Sequence, residues 1–160
     1  ANYNSPGQIV VSGWASSVEE FSVRAKEQGA KRVIPLKTSG PFHSSLMGRI
    51  IPLWQRTVEQ VQFRSATIPL VSNVGAKELM DPEEIRKALV AQIKSPVAWQ
   101  ESVEKLVAQG FKDFVEVGPG KVLAGLLRRI APEVQVHTTD TYHNLLTTIA
   151  KLERGGEGEA

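Results

Sequence analysis

The segment Ser39-Gly40-Pro41-Phe42-His43-Ser44 places an imidazole in a turn between an expected strand end and an expected helix. The Gly-Pro pair fixes the backbone, which holds His43 at an element edge rather than in a core. Imidazole is the side chain best suited to moving protons near neutral pH, so general acid–base chemistry is the first expectation. A base needs a group to act on. No Gly-x-Ser-x-Gly elbow, cysteine or second histidine stands within local reach of His43. Ser39, Ser44 and Ser45 lie on the turn and at a helix start, not on a strained strand-to-helix elbow, and are poor nucleophile candidates. The chain therefore reads as one half of an active site. The plain alternative is a loop histidine with no task.

Other chemistry finds less support. His137, in an expected strand, and His143, at an expected helix start, have no comparable setting. The lack of cysteine excludes a disulfide, a thiolate metal site and a cysteine nucleophile, and three scattered histidines with no His-Glu-x-x-His do not converge in sequence as metal ligands. Gly118-Pro119-Gly120-Lys121 superficially suggests a phosphate loop. It lacks the Gly-x-x-x-x-Gly-Lys-Ser/Thr spacing and has Val122 where the hydroxyl should stand, so the glycines are expected to serve a tight strand-to-helix turn. Asn73, at an expected strand end, reads as a loop-capping residue.

Composition bounds the class. The chain of 160 residues is 41% hydrophobic and 22% charged, the balance of an ordinary globular domain or one domain plus part of another. Its net charge of +2 comes from interleaved acids and bases, which gives no indication of a nucleic-acid partner. No apolar run approaches a membrane span, and the first residues are no signal peptide. The chain opens without an initiator Met, and an upstream part is expected.

Strand and helix patterns alternate, which predicts α/β architecture with a mainly parallel sheet. Strands are expected at 8–12, 32–36, 68–73, 113–117 and 134–137. A helix is expected from Ser17, with Glu20 as capping-box partner, to Gly29. An apolar stripe at helical spacing follows His43 through Leu46, Ile50, Leu53, Trp54, Val58 and Val61, with a kink or restart at Pro52. Asp81-Pro82-Glu83-Glu84 combines a cap, a proline at the first helical position and acids in the first turn, and predicts a helix ending beside Gln92. Further helices are expected from Ser95-Pro96 to Gly110, after Gly120, and from a cap at Asp140 through Leu152, before a frayed tail at 155–160.

The blocks Asn2-Tyr3-Asn4-Ser5-Pro6-Gly7-Gln8-Ile9-Val10-Val11-Ser12-Gly13, Gly29-Ala30-Lys31-Arg32, Gly40-Pro41-Phe42-His43-Ser44-Ser45-Leu46-Met47 and Glu116-Val117-Gly118-Pro119-Gly120-Lys121-Val122-Leu123 closely resemble malonyl-CoA:acyl carrier protein transacylases. The resemblance runs in order from the first residue to about Ile130 and covers roughly the C-terminal half of that family's chain. It implies an α/β-hydrolase-like core with an inserted ferredoxin-like subdomain. Residues 1–38 would be the remainder of that subdomain and 39–154 the C-terminal part of the core.

The resemblance also implies roles. His43 matches the general base of a ping-pong transfer, in which a serine takes malonyl from coenzyme A and yields it to the phosphopantetheine thiol of acyl carrier protein. Gln92 falls where the family has a main-chain carbonyl that accepts a hydrogen bond from the catalytic imidazole. Phe42 is associated with malonyl selectivity, its ring leaving little room for a branched acyl group. Lys31 and Arg32 match basic positions near the cleft mouth, suited to phosphates or an acidic carrier. Asn4 and Gln8 match positions near the substrate. The nucleophile, the carboxylate-binding Arg and the oxyanion loop of the family all belong to a missing N-terminal half, so this chain alone is expected to be inactive. No permanently bound cofactor is implied, the coenzyme A thioester being substrate, and the expected location is cytoplasmic, with no membrane or nucleic-acid partner. Two alternatives remain: a non-catalytic acyl-carrier-binding module, and a fragment of a polyketide synthase acyltransferase domain.

Overall fold

The structure, a computed structural model, describes residues 1–156, with side chains through Glu153. A Pro6–Gly7 turn folds the first strand back on itself. β1 (Asn2–Ser5) pairs with β2 (Gln8–Val10), and Gly7 takes the positive φ of 74° that the turn requires. A two-residue connection can join only antiparallel strands. α1 (Ala15–Glu27) starts two residues before the expected Ser17, because the Trp14 carbonyl already accepts the Val18 amide at 2.9 Å. The expected capping box does not form, and Glu20 instead pairs with Arg24 at 2.6 Å.

The strand expected at 32–36 is not formed. Pro35 has no N–H to give a ladder, and no partner strand lies beside this segment among the described residues. After His43 the apolar stripe restarts at Pro52: a 3-10 helix over Ser45–Ile50 leads into α2 (Ile51–Glu59), with the proline in the first turn where its missing N–H costs nothing. The buried strand expected at 68–73 shrinks to β3 (Leu70–Val71), antiparallel to β4 (Glu78–Leu79), with Ile68 78% exposed. α3 (Pro82–Ala91) begins as its sequence dictates, the Asp81 carboxylate accepting from the amides of Glu83 and Glu84 at 2.9 and 3.0 Å. Trp54 Nε1 on α2 donates to the Leu89 carbonyl on α3 at 2.9 Å and ties the two helices together.

α4 (Trp99–Ala108) begins four residues after the expected Ser95, since Val97 is engaged elsewhere: its amide donates to the Ala1 carbonyl and its carbonyl accepts from Tyr3. The chain forms two compact units, one of Ala1–Asn4 with Gln8–Ser102, the other of Ser5–Gly7 with Val103 onward. Buried Val58, Ala76, Leu79 and Ala98 lie in the first.

In the second, β5 (Asp113–Glu116) runs parallel to β6 (Gln135–Thr138), in register from Asp113↔Gln135 to Glu116↔Thr138. α5 (Val122–Ile130) makes the crossover and packs on both strands, burying Ala124, Leu126 and Leu127. α6 (Tyr142–Gly156) packs on β6, and Thr148 Oγ1 donates to the Thr138 carbonyl at 3.0 Å. Its first turn is capped by Thr141, whose hydroxyl accepts the Asn144 amide; Asp140, expected in that role, instead accepts from the Asn144 side-chain amide and the Thr138 hydroxyl. The expected frayed tail lies outside the described residues from 157 on, and α6 continues through Gly156.

The α/β class stands, but a mainly parallel sheet does not. The described strands make three two-stranded sheets, of which only β5–β6 is parallel. Large apolar side chains are correspondingly open, among them Leu53, Val117 and Val122 at 70, 83 and 72% exposure. Apolar surface of that extent ordinarily marks a contact face.

Candidate active site

His43 sits in the left-handed region with φ of 59°, a conformation that is costly for a residue with a Cβ and that persists only when its surroundings hold it. Its Nδ1 lies 3.0 Å from the Gln92 carbonyl and 3.1 Å from the Ser95 carbonyl. Carbonyl oxygens only accept, so Nδ1 carries the proton and donates to both. The neutral ring is thereby held as the Nδ1–H tautomer, and its Nε2 lone pair is left without a partner among the described residues.

These two carbonyls are available because of where α3 ends. The last carbonyls of a helix have no intrahelical donors, and they carry the negative end of its dipole. Gln92 is the C-cap, its amide still bonded to the Ala88 carbonyl at 2.9 Å while its own carbonyl turns to His43. Ser95 is held on the next turn by its amide and hydroxyl, both donating to the Ala91 carbonyl at 3.2 and 2.8 Å. Beyond it, Val97 is pinned to β1 and the Ala98 amide donates to the Asn73 carbonyl at 2.9 Å. Asn73 therefore contributes its backbone as a loop anchor.

The loop carrying His43 is braced from both sides. Ser44 Oγ donates to the Pro41 carbonyl at 2.7 Å, closing the turn and leaving this hydroxyl engaged. Ser12 Oγ, just past β2, donates to the Phe42 carbonyl at 2.6 Å. The Phe42 ring lies over Gly40, where a Cβ would stand 3.7 Å from Phe42 Cζ, and is 45% exposed. An open cleft of about 400 Å³ borders the same loop, lined by Gly13, Trp14, Ala15, Pro41, Ser45, Leu46 and Arg49.

Of the residues singled out from sequence, the structure brings His43, Phe42 and Gln92 together. Lys31 and Arg32 are exposed on the segment after α1, and Asn4 and Gln8 are half-buried on β1 and β2; among the described residues the hydrogen bonds of His43 go to Gln92 and Ser95, not to Lys31, Arg32 or Asn4. Ser95 and Ser12 were not legible as site residues. A backbone carbonyl acceptor leaves no residue-type signal, and nothing marks Ser12 as a partner 30 positions from Phe42.

The other histidines have different surroundings. Buried His137 bonds through Nε2 to Asp113 Oδ1 at 3.0 Å across β5–β6, and His143 is exposed on α6. At Gly118-Pro119-Gly120-Lys121 the helix N-terminus is already filled: the Glu116 carboxylate accepts the amides of Leu123 and Ala124 at 3.1 and 2.8 Å, and Lys121 pairs with Asp140 at 3.4 Å. An internal carboxylate occupies the place a phosphate would take. The Asn144 amide, with the Thr138 hydroxyl and the Lys121 ammonium, holds the Asp140 carboxyl below its ordinary range. Among the described residues no three His, Cys, Asp or Glu side chains converge as metal ligands, and no helix is long and apolar enough to cross a membrane.

The chain matches the acyl transferase domain family over residues 1–153. It is 46% identical over 130 residues to the malonyl CoA-acyl carrier protein transacylase of Bacillus subtilis, covering 81% of this chain and 41% of that protein. The transacylase of the same name from Staphylococcus aureus (strain COL) is 44% identical over 145 residues, 91% of this chain and 47% of its own. Among solved structures, the acyl-carrier-protein-S-malonyltransferase of Bartonella henselae superposes with a TM-score of 0.91 at 37% identity, covering 96% of this chain and 49% of that one. A malonyl-transacylase in complex with its type II polyketide acyl-carrier protein also superposes with a TM-score of 0.91 at 37% identity, covering 94% of this chain and 49% of that one. The chain thus spans about half the length of the relatives it matches. With a match extending over nearly all of its residues and an α/β fold shared with solved malonyltransferases, the chain belongs to the acyl transferase domain family.

Proposed function

We propose that this chain is the histidine-bearing C-terminal half of a malonyl-CoA:acyl carrier protein transacylase, acting in fatty acid biosynthesis with a serine nucleophile supplied by an upstream half. One observation carries the proposal: His43 is held in a strained conformation with Nδ1–H bound to two helix-end carbonyls and Nε2 free. A loop histidine without a task has no reason to be held this way.

The chemistry follows from that ring. Nε2 takes the proton of the serine hydroxyl as its oxygen attacks the malonyl thioester carbonyl. The imidazolium then returns the proton to the coenzyme A sulfur as the C–S bond breaks, leaving malonyl on the serine. In the second half-reaction Nε2 deprotonates the phosphopantetheine thiol, whose sulfur takes the malonyl group, and the proton returns to the serine oxygen. In each imidazolium state the Gln92 and Ser95 carbonyls and the C-terminal end of α3 face the positive ring. The dipole alone is worth about 0.3–1 kcal/mol.

In this reading the Phe42 ring walls the acyl pocket, Lys31 and Arg32 meet the coenzyme phosphates or the acidic carrier, and Asn4 and Gln8 line the approach. Residues 1–38 complete a ferredoxin-like subdomain, and 39–154 belong to an α/β-hydrolase-like core. The open apolar side chains of α5 and of the segments flanking it are faces that the other half covers. Malonyl-CoA and acyl carrier protein are the partners, and no resident cofactor takes part.

Intact-mass spectrometry with malonyl-CoA tests the proposal. A malonyl adduct is expected on the assembled enzyme, lost with His43→Ala, and absent when residues 1–160 are alone. An adduct on this chain by itself would show that it has its own nucleophile and would overturn the division of roles.

A further inference from the structure

Building on the transacylase function proposed above, we propose that Ser12 is a positioning residue that sets the base and the acyl-pocket wall together. The 2.6 Å bond from Ser12 Oγ to the Phe42 carbonyl lies at the short end for a hydroxyl donor. That carbonyl belongs to the peptide between Phe42 and His43. The easiest escape for His43 from its φ of 59° is rotation of this peptide plane, and such a rotation would swing the Phe42 carbonyl away from Ser12. The Ser12 bond opposes that rotation. From the far side the two carbonyls of Gln92 and Ser95 hold the ring itself, so the backbone is clamped before His43 and the imidazole beyond it.

The same bond bears on Phe42. With the Pro41 carbonyl held by Ser44 and the Phe42 carbonyl by Ser12, both peptides flanking Phe42 are fixed, and the ring is settled over Gly40. Ser12 lies in the segment before α1, directly followed by Gly13 and Trp14 of the cleft beside the loop. A displacement of that segment would therefore reach both the proton-transfer group and the wall that excludes a branched acyl chain.

The test compares Ser12→Ala and Ser12→Thr in the assembled enzyme, with malonyl-CoA and methylmalonyl-CoA as donors. Removing the hydroxyl is expected to lower kcat for malonyl transfer roughly fivefold, with KM for malonyl-CoA changed by less than about twofold. The malonyl-over-methylmalonyl preference should fall by about threefold as the ring loosens. Ser12→Thr keeps the hydroxyl and should restore both. Should Ser12→Ala fail to fold, Ser12→Cys, a weaker donor of similar size, is expected to give an intermediate kcat and preference. Unchanged kcat and preference in Ser12→Ala would overturn the proposal. So would equal losses in Ser12→Ala and Ser12→Thr accompanied only by a lower melting temperature. If His43→Ala also transfers malonyl at the wild-type rate, it is the assignment of the base that fails, and the two failures are distinguishable.

Discussion

The carbonyl of Gln92, not its side chain, faces His43, and two substitutions at this position separate the two. Gln92→Ala keeps the backbone and the amide bond to Ala88, so kcat for malonyl transfer from malonyl-CoA to acyl carrier protein should stay within about twofold of wild type. Gln92→Pro removes that amide, and its ring meets the Ala88 carbonyl, disrupting the last turn of α3 at a cost of about 3 kcal/mol. The turn carries the Gln92 carbonyl and, through Ala91, the bonds that hold Ser95. A hydrogen bond to a charged partner is worth about 1.5–3 kcal/mol. Nδ1–H shares one proton between two acceptors, so the loss on the imidazolium is that of one such bond rather than two. That corresponds to a fall in kcat of roughly 10- to 150-fold. Stopped-flow or coupled assay of the assembled enzyme reads both variants, with circular dichroism to show that Gln92→Pro has folded. A drop of a hundredfold in Gln92→Ala, or wild-type turnover in a folded Gln92→Pro, would refute the reasoning.

Two more outcomes are expected. Phe42→Ala should open the acyl pocket and raise methylmalonyl transfer relative to malonyl by about 5- to 150-fold, the range set by relief of overpacking of about 1–3 kcal/mol, read as the ratio of kcat/KM for the two donors. The Asp140 carboxyl is held below its ordinary value of 3.8, so its contribution to stability is full above that value and is lost as pH falls through the lower folded value. Asp140→Asn should therefore melt at a lower temperature than wild type at neutral pH, and the difference should close as the pH is taken below about 4, followed by thermal denaturation at several pH values.

What this sequence determined by itself was local. Asp81-Pro82-Glu83-Glu84 specifies the start of α3 through a cap and a proline whose action reaches only three residues, and Gly118-Pro119-Gly120 specifies the turn into α5 through two glycines that take positive φ of 129° and 88°. The setting of His43 was legible for a similar reason, because the Gly-Pro turn and the imidazole are neighbours in the chain. Gln92 was identified through a family resemblance, and the side chain shows why its own chemistry is silent: the atom in use is a carbonyl that every residue has.

The strands were the least legible part. A strand is stable only against a partner, and sequence pattern does not say whether one is present. The segment at 32–36 has strand-forming residues but no partner strand among the described residues, while Glu78–Leu79, with no strand pattern, pairs with Leu70–Val71 because the turn between them brings it there. The tautomer of His43, the second acceptor at Ser95 and the brace from Ser12 were decided only by tertiary structure. Each depends on atoms 30 to 52 positions apart in the chain meeting within hydrogen-bond distance, and such meetings arise from the packing of β2, α3 and the His43 loop rather than from any residue's own preference.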